Sequence, residues 1–151
     1  MSIFKEIISA GKLTTYEIGL LQTKAFRTLK ERTDGVLLPF EITSTEWAFL
    51  GMLHEYKDGI RSSDIADCLG VEAPFVTVLV ANFMKRKWVT QSKDKTDMRA
   101  KLIFLTSEGH KKVIDIEAIV RKVSKTWLKD VSIKDVLAYI RVLKKLSSPI
   151  E

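Results

Sequence analysis

The sequence predicts a mainly α (α+β) chain, a winged helix-turn-helix held between long N- and C-terminal dimerisation helices. Three observations lead there. Apolar residues recur at helical spacing through most of the chain. The pattern turns strand-like only at Trp88–Gln91 and Lys101–Leu105, and two short helical segments come immediately before that change. Helix, helix, hairpin is the order of a winged helix-turn-helix.

The first element reads as helix from about Ser2 to Arg32, bent near Gly11, with Ile3, Phe4, Ile7, Ile8, Leu13, Ile18, Leu21, Ala25 and Phe26 as its apolar set. Thr33-Asp-Gly-Val-Leu-Leu-Pro39 breaks the pattern and predicts a loop. Thr43-Ser-Thr-Glu46 is a capping box, in which the threonine hydroxyl accepts from the N3 amide and the glutamate reaches back to the cap amide. The helix it opens runs to about Tyr56, with Trp47, Leu50 and Leu53 at core spacing, and Lys57-Asp-Gly59 closes it. Ser62 or Ser63 starts a short helix carrying Ile65, Ala66 and Leu69, and Gly70 is suited to its C-terminus.

After the tight Gly70-Val-Glu72 connection, a helix from about Ala73 to Arg86 places Val76, Leu79, Val80 and Phe83 on one inward stripe. Its outward positions include Glu72, Ala73, Pro74, Thr77, Val78, Ala81 and Asn82. The hairpin follows: Trp88–Gln91, a polar loop Ser92–Met98, and Lys101–Leu105, with Thr106 capping the next helix. The last third predicts two helices, about Ser107–Lys129 and Ser132–Leu146. In the first, Val113, Ile116, Val120, Val123 and Trp127 are spaced 3, 4, 3, 4, a coiled-coil-like seam. Val136, Tyr139, Leu143 and Leu146 repeat the spacing in the second.

A small winged core offers little surface on which long helices from both ends can be buried. A homodimer is the economical solution, with Ile7, Ile8, Val120, Val123, Trp127, Tyr139 and Leu143 as its expected seam. The expected organisation is one unit: residues 1–40 and 107–151 for dimerisation, 41–106 as the winged region.

At 151 residues the chain is sized for a single domain. It has no apolar run near the roughly 18 residues of a membrane span and no signal-like N-terminus, so no membrane partner is expected. The lone Cys68 has no disulfide partner, so a reducing cytoplasm is the expected compartment. Of a net charge of +6, most is concentrated between Lys85 and Lys101, where Lys85, Arg86, Lys87, Lys93, Lys95, Arg99 and Lys101 face only Asp94 and Asp97. Focused charge of this kind is the footprint of a polyanion-binding surface, and its place on the hairpin makes duplex DNA the expected partner.

The hairpin Lys93-Asp-Lys-Thr-Asp97-Met-Arg99-Ala-Lys-Leu-Ile-Phe-Leu105-Thr106-Ser-Glu-Gly109 resembles the wing signature of the MarR (multiple antibiotic resistance regulator) family. Ile42-Thr-Ser-Thr-Glu-Trp47 and Ser63-Asp-Ile-Ala-Asp-Cys-Leu-Gly-Val71 are similar to segments of the same family, and the likeness runs from about Leu20 to the C-terminus. The resemblance implies a homodimeric transcription regulator with two winged lobes on successive major grooves. It implies that Arg99 enters the minor groove and that Asp97 orients it through an ion pair. Ser62, Ser63, Pro74, Thr77, Val78, Asn82, Lys93, Lys95 and Lys101 are the other expected DNA-binding residues. It also implies a small aromatic effector in a cleft lined by Trp47, Trp127 and tyrosines, between dimer helices and winged lobe.

The chain departs from the family pattern in its recognition helix. Only Thr77 and Asn82 offer ordinary polar readout, and Val78 stands where a basic residue is common. Ala73, Phe75 and Val78 could meet thymine methyls, which favours A·T-rich sites; alternatively Phe75 packs inward and DNA shape dominates. Lys87 occupies a position usually held by Gly, and Trp88 replaces a smaller residue. Nothing in the pattern is catalytic, so no enzyme activity, metal or cofactor is expected. His54 and His110 read as isolated, and Cys68 as an inert, partly buried thiol. The expected function is sequence-specific duplex-DNA binding; the alternative is a winged-helix protein-interaction module.

Overall fold

A computed structural model of the chain describes residues 14–148. The helices are α1 (Thr15–Leu37), α2 (Ser44–Glu55), α3 (Ser62–Leu69), α4 (Ala73–Lys85), α5 (Ser107–Trp127) and α6 (Ile133–Leu146), with a 3-10 turn at Leu38–Phe40. The strands are β1 (Ile60–Arg61), β2 (Val89–Lys93) and β3 (Lys101–Leu105), in the order β1-β3-β2 and antiparallel throughout. The winged helix-turn-helix predicted from the sequence is therefore the fold. Among the described residues no helix is long and apolar enough to cross a membrane.

Helix α1 departs from expectation at both ends. Thr14 caps it with a full capping box: its amide donates to Glu17 Oε2 (2.7 Å) and its hydroxyl accepts from the Glu17 amide (3.4 Å). The bend near Gly11, and with it Ile3, Phe4, Ile7, Ile8 and Leu13, lies outside the described residues. At the other end the predicted loop from Thr33 is helix, straight through Gly35. Local bonds override the poor propensity of Asp and Gly there. Lys30 Nζ meets Asp34 Oδ2 at 2.9 Å, and the Thr33 hydroxyl donates to the Leu29 carbonyl at 2.8 Å. Asp34 Oδ1 also accepts from the Ser44 amide at 2.6 Å, tying the end of α1 to the start of α2. The Lys30 ammonium, followed by that amide, holds the Asp34 carboxyl below the usual range. Leu37, wholly buried, anchors the extra turn in the core.

The remaining helices match their predicted positions to within a residue or two, including the Thr43–Glu46 capping box and the Thr106 cap. The core lies under α2, α3 and α4 and against the inner face of the hairpin. Phe83 stacks between Phe49 (centroids 5.8 Å apart) and Trp88 (5.7 Å), joining α2, α4 and the start of β2. Val113 and Ile116 belong to this same core and are buried within the protomer. The 3-4-3-4 row on α5 thus divides: its first turns close the winged lobe, while Val123 and Trp127 remain half-buried. Tyr139, Leu143 and Leu146 on α6 are exposed.

Strand β1 was not expected from the pattern, because two residues show no alternation. Its register, Ile60 opposite Ile103 and Arg61 opposite Leu102, adds a third strand to the hairpin and connects it to the start of α3.

Candidate nucleic-acid interface

Gly70 ends α3 in the left-handed conformation (φ 63°), which lets the Val71 amide return to the Ala66 carbonyl at 3.0 Å. Helix α4 then starts with Pro74 in its first turn, where its missing N–H costs nothing. Val76, Leu79, Val80 and Phe83 are buried, which leaves Pro74, Thr77, Val78, Ala81 and Asn82 exposed on the other side. Ser63 is exposed at the start of α3 and Ser62 half-buried beside it. Phe75 is 43% exposed and Val78 53%, so the alternative in which Phe75 packs inward is overturned. The Thr77 hydroxyl donates to the Ala73 carbonyl (3.3 Å), leaving its lone pairs outward.

The exit from α4 is built around two residues that depart from the family pattern. Lys87 adopts φ 62°, the left-handed region that the usual glycine enters without penalty. Trp88 is buried, and its carbonyl accepts from the Thr106 amide at 2.9 Å. The Thr106 hydroxyl donates to the Lys87 carbonyl (2.7 Å) and accepts from the Gly109 amide (3.0 Å). A Cβ at position 109 would lie 2.1 Å from the Trp88 carbonyl oxygen. The Leu-Thr-x-x-Gly part of the wing signature is thus a steric requirement, because the base of the wing and the start of α5 touch through that glycine.

Not every cation of the Lys85–Lys101 cluster faces solvent. The Arg86 guanidinium stacks on Trp88 (4.7 Å to the ring centroid), donates to the Phe40 carbonyl (3.0 Å) and pairs with Glu41 (3.3 Å). It is a structural tie. Lys93, Lys95, Arg99 and Lys101 are exposed and make no ion pair among the described residues.

Asp97 and Arg99 do not form the expected ion pair. Asp97 Oδ1 accepts instead from the backbone N–H of Arg99 at 3.0 Å, a turn that fixes the main chain beneath the guanidinium and leaves the side chain outward. The ion pair of the wing involves Asp94, which sequence reasoning counted only as a stray negative charge. Asp94 is buried. Its Oδ1 accepts from the Thr96 amide (2.8 Å) and hydroxyl (2.7 Å), and its Oδ2 from Nε (2.8 Å) and Nη2 of Arg61. The Thr96 donors, then Arg61, hold the carboxyl well below the usual carboxylate range. No periodicity could reveal this pair, since its members lie 33 residues apart in the chain.

The two histidines are not isolated. His54 at the end of α2 and His110 at the start of α5 approach to 3.1 Å between Nδ1 atoms. Burial, then the proximity of His54 and Lys57, lowers the His110 value. Among the described residues no group of three metal-ligating side chains gathers there or elsewhere. Cys68 is exposed, where a partly buried thiol was expected, because it lies on the outer side of the short α3. A cleft of about 760 Å³ opens between α2 and α5, lined by Trp47, Gly51, His54, Ile114, Glu117 and Arg121 among others. Another, of about 670 Å³, separates α1 from α6 and includes Phe26, Leu29, Cys68, Tyr139 and Leu143. Trp127 lines neither; the Arg32 guanidinium sits 6.0 Å from its ring.

The MarR family model matches residues 40–100, from the 3-10 turn to the wing. Over those residues the chain is a match to the MarR family, and its fold is that of MarR-family regulators. Structures across that family share its fold. A MarR-family transcriptional regulator from Rhodococcus sp. RHA1 is 20% identical over 91% of this chain and 97% of its own, with a TM-score of 0.83. CouR from Rhodococcus jostii RHA1, bound to p-coumaroyl-CoA, is 20% identical over 89% of this chain and 95% of its own, at 0.79. MepR of S. aureus in complex with DNA is 27% identical over 89% of this chain and 96% of its own, at 0.71. MarR-family chains are transcription regulators and not enzymes.

Proposed function

We propose that this MarR-family chain is a homodimeric, sequence-specific duplex-DNA-binding regulator whose basic wing supplies most of the grip. The observation that carries the reading is the wing: four outward cations on one hairpin, with the main chain under Arg99 fixed by Asp97. Narrow minor grooves concentrate negative potential, and a guanidinium is suited to them. Lys93, Lys95 and Lys101 would neutralise phosphates. Ser62, Ser63, Pro74, Thr77, Val78 and Asn82 would meet the major groove, with Phe75 and Val78 against thymine methyls.

The dimer is supported by apolar surface that stays exposed among the described residues. Leu20, Phe26, Ile133 and Leu146 are each about two-thirds or more exposed, and Leu137, Tyr139 and Leu143 on α6 are exposed beside them. Val123 and Trp127 would continue that seam along α5, with Val120, which packs partly on the protomer's own core, at its edge. Ile7 and Ile8 lie outside the described residues. A small aromatic effector would find Trp47 in the cleft between α2 and α5.

The exposed Phe75 and Val78 are the one observation favouring an interaction module instead. Titrating labelled duplex from the region upstream of the chain's own reading frame, through a salt series with unlabelled nonspecific duplex as competitor, separates the two readings. A competition-resistant complex that weakens steeply with salt is expected, since each neutralised phosphate releases counterions. No such complex would favour the module.

A further inference from the structure

The wing carries one feature that neither groove contact nor dimerisation uses: the Arg61–Asp94–Thr96 network at its root. Arg61 belongs to β1, at the position immediately before α3. It pairs with Leu102 of β3, which in turn pairs with Ser92 of β2. Side chains along a strand alternate between faces, so Asp94, two residues beyond Ser92, falls on the same face as Arg61. The guanidinium therefore crosses the sheet from its β1 edge to the far side of the hairpin, where both Nε and Nη2 meet Asp94 Oδ2. Nη2 also reaches the Thr96 hydroxyl at 3.3 Å. The other carboxylate oxygen is occupied by Thr96, and the Asp94 amide donates to the Ala100 carbonyl at 3.0 Å, closing the loop that carries Asp97 and Arg99. Both carboxylate oxygens of Asp94 are engaged, one within the wing and one by Arg61.

We propose that Arg61 and Asp94 are positioning residues for DNA binding, a cross-brace that ties the wing loop to the start of α3 and sets where Arg99 stands relative to the exposed face of α4. The inference rests on the DNA-binding reading above. The turn that holds Arg99 spans only the loop itself, through Asp97. The strand pairing and the Phe83–Trp88 stack join the root of the wing to the helix-turn-helix. The brace extends that link to the loop itself, so a major-groove contact from α4 and a minor-groove contact from the wing can be made at one spacing. Preorganisation of this kind removes an ordering cost from binding.

Charge and position make opposite demands on Asp94, which makes the proposal sharp. If the wing acted only as a pool of positive charge, Asp94→Asn would remove an anion, release Arg61 toward the phosphates, and tighten binding. A brace requires that the same change weaken it. The test uses the full chain and labelled upstream duplex, with anisotropy titrations at several salt concentrations for wild type, Asp94→Asn, Arg61→Lys, Thr96→Val and Asp94→Asn/Arg61→Lys. Asp94→Asn is expected to lose about fivefold or more in affinity, bounded above by the loss Arg99→Ala produces. Arg61→Lys keeps the charge but not the forked donor, so it should not restore wild-type affinity. Thr96→Val should weaken binding with no change in charge. The double variant should be no worse than the poorer single change, because both break one network. Wild-type or tighter binding by Asp94→Asn, or full affinity in Arg61→Lys, overturns this inference while leaving the DNA-binding reading intact. Absence of salt-sensitive binding by the wild-type chain overturns that reading, and this inference with it.

Discussion

Helix α4 presents Pro74, Thr77, Val78, Ala81 and Asn82 to solvent, a face of small, apolar and neutral side chains. The wing that follows presents Lys93, Lys95, Arg99 and Lys101 on a hairpin whose loop is held by a buried carboxylate and two side-chain-to-backbone turns. The helix is rigid by its backbone and by the core beneath it, yet has little with which to grip. The wing has the charge to grip but gains its order from a handful of polar contacts. On the proposed reading affinity and selection are separable: cations on the hairpin would supply the first, while the helix would contribute shape and methyl contacts. The two surfaces share a foundation, since Phe83 of α4 stacks on Trp88 at the root of the wing.

The largest effect should come from removing that foundation. Phe83→Ala is expected to cost about 3–5 kcal/mol, measured by chemical denaturation, and to weaken both surfaces together. Gly109→Ala should separate them. Its methyl would collide with the Trp88 carbonyl, costing about 1–3 kcal/mol or more, while α4 keeps its own helical bonds. Hydrogen exchange should then show the hairpin amides losing protection before those of α4. Lys87→Gly works the other way: relief of the positive φ should raise stability by up to about 1 kcal/mol, read as a higher denaturation midpoint.

The smallest effect is on the pH dependence of the wing. The Asp94 carboxyl is held below its ordinary value by Thr96 and Arg61, so the unfolded chain takes up its proton first. The contribution is complete at neutral pH and is lost as pH falls below the ordinary carboxylate value of about 4. The stability difference between wild type and Asp94→Asn should close over that range. His110 is lowered chiefly by burial, so acidification through the ordinary histidine value of about 6.5 should also destabilise the fold, an effect that His110→Gln removes.

Elements fixed by local chemistry were legible in the chain. The capping box at Thr43, the stripe Val76–Leu79–Val80–Phe83 and the hairpin all declare themselves through near neighbours, and all stand where the pattern put them, except that β2 runs on through Ser92 and Lys93, which the pattern assigned to the loop. Readings failed where a distant partner decided the outcome. Asp34 continues α1 because Ser44 and Lys30 complete its bonds, so a segment with the composition of a loop is helix. Val113 and Ile116 share a spacing with Trp127 but pack, together with Val120, on the core of the winged lobe, which Trp127 does not join. Asp94 and Arg61, like His54 and His110, are brought together only by the sheet and by the crossing of α2 with α5. In the wing, the outward cations were visible from composition alone. The bonds that orient them were not.

The central claim is that the wing, more than the recognition helix, holds the DNA. It is tested most directly by comparing the affinity of Arg99→Ala with that of Thr77→Ala/Asn82→Ala on the same duplex at one salt concentration. The account predicts a loss of about tenfold or more for the wing variant and a smaller one for the helix variant, with the salt dependence reduced only in the former. A larger loss from the helix pair, with Arg99→Ala binding as the wild type does, would contradict it.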